Sequence, residues 1–142
     1  MATSKGGIEM ANGTSPAGTW AYRSYLNTAD QPVFGAGLFT FQTPTGVTLT
    51  GTFDMGGGLV LDLQGTIQPA TGQSPLTANI RGFGRPGTGT DGWEYDYFAF
   101  LAYQWPNGVD QVQSLVGTVI RAKPHDGGPA GVTASFIAVR QS

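Results

Sequence analysis

From Gly18 onward the hydrophobic pattern has a period of two. Alternating or continuous apolar runs, bounded by Gly, Pro, Asn and Asp, fall at 18–26, 36–42, 47–55, 59–68, 76–83, 92–105, 112–123 and 132–140. Trp20, Tyr22 and Leu26 alternate with Ala21 and Arg23, and Leu59, Leu61, Leu63 and Ile67 alternate with Val60, Asp62, Gln64 and Thr66. Such runs predict eight strands with one face inward and one outward. No window holds the i, i+3, i+4, i+7 pattern over three turns, and β-branched and aromatic residues dominate, so the expectation is all-β.

The gaps between runs are short and rich in turn formers, as in Thr43-Pro44-Thr45-Gly46, Gly56-Gly57-Gly58 and Pro106-Asn107-Gly108. Neighbouring runs therefore pair antiparallel as a meander. An open eight-stranded meander exposes two long edges and closure removes them, which favours an up-and-down β-barrel over the alternative, a β-sandwich. Residues 1–17 are small, polar and aperiodic, and predict a flexible tail ahead of a single domain spanning 18–142. In the last three runs both faces are apolar, so a second copy of the chain is expected to cover the outer face near 93–104, 112–122 and 132–140 as a homo-oligomer.

Composition narrows the partners. The 142 residues carry 11% charged side chains and a net charge of −2, without the basic excess that a phosphate backbone demands, so nucleic acid is not expected. With no cysteine there is neither disulfide nor thiolate chemistry. No long apolar run or leader-like segment is seen, so no membrane partner and a cytoplasmic location are expected. A lone histidine and no cysteine predict no metal site and no cofactor.

Several stretches resemble the avidin and streptavidin family of calycin-type barrels: Gly18-Thr19-Trp20 its first strand, Leu49-Thr50-Gly51-Thr52-Phe53 its third, Gln104-Trp105 a tryptophan before a hairpin, and Ser114-Leu115-Val116-Gly117 its last. The likeness spans about 100 residues and implies an eight-stranded ligand-binding barrel. It does not imply biotin binding, because Tyr22, Phe53, Met55 and Val119 stand where the family's polar contacts to biotin would fall. A further run, Val132 to Arg140, follows the segment that resembles the family's last strand.

A barrel of eight strands either packs solid or holds one small ligand. The aromatic residues Trp20, Tyr22, Phe41 and Phe53 are the expected lining of an apolar cavity, and otherwise plain core. Glu94 and Asp96 share one strand face and Arg81 lies on the neighbouring run; facing inward, they would clamp or protonate a polar ligand beside Tyr95. Facing outward, they are a cross-strand ion pair. His125, in Lys123-Pro124-His125-Asp126-Gly127-Gly128, reads as part of a surface turn, and the polar stretch from Gly82 to Gly92 reads as a loop able to act as a lid. Three functions follow: a barrel binding a largely apolar small molecule in its lumen, a cofactor-independent cyclase or isomerase resembling allene-oxide-cyclase-like and dirigent-like barrels, or a structural oligomeric barrel with no ligand.

Overall fold

Each strand of the computed structural model, which describes residues 15–142, pairs antiparallel with the next, and the last pairs with the first. The strands are β1 Gly18–Leu26, β2 Val33–Phe41, β3 Thr48–Asp54, β4 Val60–Gln68, β5 Thr77–Gly84, β6 Glu94–Leu101, β7 Ser114–Arg121 and β8 Thr133–Arg140. Closure runs from Trp20 opposite Arg140 to Leu26 opposite Ala134, so the eight strands form a barrel without a free edge and no sandwich.

Two boundaries differ from the sequence expectation by more than two residues. The strand expected at 36–42 begins at Val33, because Gly35 and Gly37 on β2 interrupt the apolar period that marks a strand. Gly37 is required: a Cβ there would collide with the Asp54 carbonyl and lie 2.8 Å from the Phe53 ring. The run expected at 92–105 ends as a strand at Leu101. Beyond it the Gln111 side chain accepts from the Trp105 amide and donates to the Trp105 carbonyl, both at 2.8 Å, curling the segment into a loop that leaves Tyr103 and Trp105 exposed.

The interior divides into two ends. At one, reached by the β2–β3, β4–β5 and β6–β7 loops, Trp20, Phe41, Leu49, Leu76 and Leu115 pack without exposure. Trp20 donates its indole N–H to the Pro16 carbonyl at 2.9 Å, and the Arg140 guanidinium lies 4.3 Å over its ring while donating to Gln113 Oε1 and to the carbonyls of Ser15 and Ala17. Burial pulls the Arg140 pKa below its usual value. Of the expected tail 1–17, residues 15–17 are thus docked against this closed end, and residues 1–14 lie outside the described residues.

At the other end the stretch from Gly84 to Gly92 is stapled down. Arg85 pairs with Asp62 at 2.9 Å, the buried Thr90 hydroxyl donates to the Val60 carbonyl at 2.8 Å, and the Arg85 amide donates back to Thr90 at 3.0 Å. Side chains that hold a loop to β4 in this way oppose the hinged lid expected there.

Outside, β3 to β5 present Thr48, Thr50, Asp62, Gln64, Asn79 and Arg81, whereas β6 to β8 present Phe98, Phe100, Val116 and Ile137. Phe100, Val116 and Ile137 are cross-strand neighbours in one row, and Phe98, Phe100 and Ile137 remain 40–45% exposed. No described helix is long and apolar enough to cross a membrane.

Candidate functional site

The open end holds a cavity of about 200 Å³. Alternation builds its wall: on β6 the inward residues are Tyr95 and Tyr97 and the outward ones Glu94 and Asp96, while β1 contributes Tyr22 and Ser24, β3 Phe53, β4 Leu61 and β7 Val119 and Arg121. Phe34, Met55, Trp93 and His125 line it nearer the loops. Below it the rings pack edge to face, with Phe39 5.4 Å from Tyr97 at an interplanar angle of 90°. The barrel is therefore solid at one end and hollow at the other.

The sequence-predicted residues separate accordingly. Tyr22 and Phe53 line the cavity; Trp20 and Phe41 are buried core and do not. Glu94, Asp96 and Arg81 lie outside the barrel, where the Arg81 Nε donates to Asp96 Oδ1 at 2.8 Å and the side chain, 53% exposed, also pairs with Glu94 at 3.8 Å. The inward clamp is overturned by strand parity: with Tyr95 and Tyr97 facing in, both acids must face out. Arg81 is held protonated more firmly than usual by its hydrogen bond to Asp96 and the charge behind it.

His125 is the residue that sequence reading misplaced. Its backbone does form a turn: His125 and Gly128 exchange hydrogen bonds around Asp126 and Gly127, which both have positive φ, the type I′ geometry that Asp-Gly favours. The side chain nevertheless folds over the cavity mouth and keeps only 12% of its exposure. It stacks on Trp93 with ring centroids 3.9 Å apart, its Nε2 lies 2.6 Å from the Tyr95 hydroxyl, and its Nδ1 lies 3.0 Å from Asp126 Oδ2. Arg121 Nε donates to the same Tyr95 oxygen at 3.2 Å, and the absence of a side chain at Gly128 leaves room for that guanidinium. The signal in the sequence was Asp-Gly itself, since a two-residue turn fixes the residues flanking it on one face.

Two of the phenols that line the cavity are held back from ionising. Burial pushes the Tyr22 hydroxyl well above its ordinary pKa, opposed in part by Ser24, and pushes Tyr97 up for the same reason, with Tyr22 and Tyr95 adding to it. Both stay neutral donors through the physiological range. Among the described residues nothing hydrogen-bonds the Tyr97 hydroxyl, and since no buried side-chain oxygen or nitrogen among them lacks a partner, this oxygen is open to the cavity that Tyr97 lines. No known protein family, curated protein or solved structure matches the chain. The site is therefore read from its own geometry. Among the described residues no three His, Asp or Glu side chains converge as metal ligands. What the cavity offers is an apolar box lined by the hydroxyl donors Tyr22 and Tyr97, with a histidine–tyrosine–arginine cluster at its mouth.

The raised phenols fix the sign of an alkaline effect. In the unfolded chain they ionise near pH 10, whereas in the fold they resist ionisation, so their stabilisation is complete below that pH and is lost as pH rises above it. Urea denaturation midpoints are expected to hold steady up to about pH 9 and then fall steeply, and Tyr22→Phe is expected to shallow the fall. An equally steep fall in Tyr22→Phe and Tyr97→Phe would remove these residues as its cause.

Proposed function

We propose that the protein is a small-molecule-binding barrel that holds one single-ring, largely apolar ligand at the open end of its lumen. The observation that carries this reading is the cavity of about 200 Å³ itself, onto which Tyr97 faces with a hydroxyl that no described residue hydrogen-bonds. A ligand oxygen that accepts from this hydroxyl gains a hydrogen bond worth about 0.5–1.5 kcal/mol net. The size argues for one ring, because an apolar cavity of ~150 Å³ takes up benzene. Tyr22, Phe53, Met55 and Val119, the positions to which the avidin-like resemblance assigns ligand contact, all line this same cavity. Their replacement of polar contacts by rings and aliphatic groups fits a ligand far less polar than biotin.

The row Phe100, Val116 and Ile137, with Phe98 beside it, supports self-association of the barrel through β6 to β8. Its cross-strand register puts these side chains on one uncharged face, suited to the same face of a second copy. This contact is remote from the cavity mouth and leaves it accessible.

Native mass spectrometry of the purified protein reads both proposals together. The expected spectrum is an oligomer binding one 4-hydroxybenzaldehyde per chain, with Tyr97→Phe binding it roughly fivefold more weakly, the equivalent of about 1 kcal/mol. A monomer would refute the self-association. Absence of any adduct, for this compound and for a panel of other single-ring carbonyl compounds, would refute the ligand.

A further inference from the structure

The hydrogens at the cavity mouth are assigned by elimination. A carboxylate only accepts, so His125 Nδ1 carries the hydrogen that meets Asp126 Oδ2 at 3.0 Å, and neutral His125 then has a bare Nε2. The Arg121 Nε only donates, so the Tyr95 oxygen accepts from it at 3.2 Å, and towards neutral His125 it gives its own hydrogen to the bare Nε2 at 2.6 Å. One acceptor position on the Tyr95 oxygen is left for a molecule in the cavity that Tyr95 lines. Movement of the tyrosine proton to His125 produces a phenolate beside Arg121 and an imidazolium beside Asp126, with each new charge facing an opposite one. This is the wiring of a general base.

A second feature says what the base would act on. Tyr97, two residues along the same inner face of β6 with its ring centroid 6.4 Å from that of Tyr95, offers a free hydroxyl donor where a developing negative oxygen needs one. A base and an oxygen donor so placed match a carbonyl compound, its oxygen at Tyr97 and an adjacent C–H at Tyr95. We propose that the protein catalyses proton-shift isomerisation of small cyclic enolisable ketones, with Tyr95 as the catalytic base and His125 and Asp126 as positioning residues. The proposal rests on the reading of the cavity as a small-molecule site.

The step balances within substrate and protein. As the Tyr95 proton passes to His125 Nε2, the Tyr95 oxygen takes a proton from the carbon beside the carbonyl. The C–H electron pair becomes a C=C bond and the carbonyl π pair moves onto oxygen as an enolate, held by the Tyr97 hydroxyl. For a β,γ-unsaturated ketone, Tyr95 then returns its proton to the γ-carbon while His125 gives its own back to Tyr95. The double bond comes into conjugation, and nothing is oxidised or reduced.

The test converts cyclohex-3-enone into cyclohex-2-enone, followed by the ultraviolet absorbance of the conjugated product, with product binding measured separately by calorimetry. Wild type is expected to bind and to convert faster than buffer, and Tyr95→Phe to bind within about threefold yet lose roughly 100-fold or more of the turnover. His125→Ala, which removes a ring at the cavity mouth from the loop between β7 and β8, is expected to lose turnover similarly and to recover part of it when imidazole is added. Binding without conversion above buffer overturns the catalytic proposal and leaves the binding reading standing. Failure to bind overturns both for this class of molecule. Undiminished turnover in Tyr95→Phe removes Tyr95 as the base.

Discussion

Trp20→Ala is expected to lower the unfolding free energy by about 3–5 kcal/mol, the range for deleting a large buried aromatic side chain. Trp20 is fully buried, its N–H satisfies the Pro16 carbonyl, and Arg140 lies over its ring, so one substitution hollows the closed end and loosens the segment that seals it. Residues 15–17 are held by two contributions, the indole N–H and the Arg140 guanidinium. Arg140 would lose its aromatic platform while keeping its hydrogen bonds to Gln113 and the Ala17 carbonyl. Urea titration followed by circular dichroism measures the change. A loss below about 1 kcal/mol would mean that the closed end collapses around the gap and is not the anchor of the barrel.

Val119→Phe carries the second large effect, on binding rather than stability. Val119 is buried, lies between Tyr97 and Ala134 on the neighbouring strands, and lines the cavity. A ring there extends into the space of about 200 Å³ that the ligand would occupy. Overpacking a filled core costs about 1–3 kcal/mol, but here vacant volume receives the added atoms, so the cost should sit at or below the lower end of that range. Affinity for 4-hydroxybenzaldehyde is expected to fall by roughly 100-fold or more, because displacement from the cavity removes every contact and not one of several. Ile120→Phe, next along β7 and facing outward, is the matched control and should leave binding unchanged.

The barrel was legible because period-two alternation survives wherever one face meets the core and the other meets water. Leu59 to Ile67 is such a stretch, and β4 forms from Val60 to Gln68. Legibility failed where another demand overrode the period. Gly35 on the cavity wall and Gly37 on the crowded inner face conceal the start of β2, and the Gln111 side chain holds the residues after β6 in a loop about Trp105. At the site, reading charge as the mark of function drew attention to Glu94, Asp96 and Arg81, yet the intervening tyrosines are the inward residues. Alternation could have said that one set excludes the other, but not which set wins. For His125 the Asp-Gly pair marked the turn but not the site, since its role depends on Trp93, Tyr95 and Arg121 arriving from other strands and loops. The same holds for the division of the lumen: Trp20 and Tyr22 are two residues apart on one face, and only the packing of Phe41, Leu49 and Leu115 around the first separates core from cavity.

Isothermal titration calorimetry with 4-hydroxybenzaldehyde on wild type, Ile120→Phe and Val119→Phe tests the cavity most directly. One saturable site per chain in the first two, and none in the third, is the predicted result. Equal binding by all three, or no binding by wild type, would contradict a ligand site at the open end of the barrel.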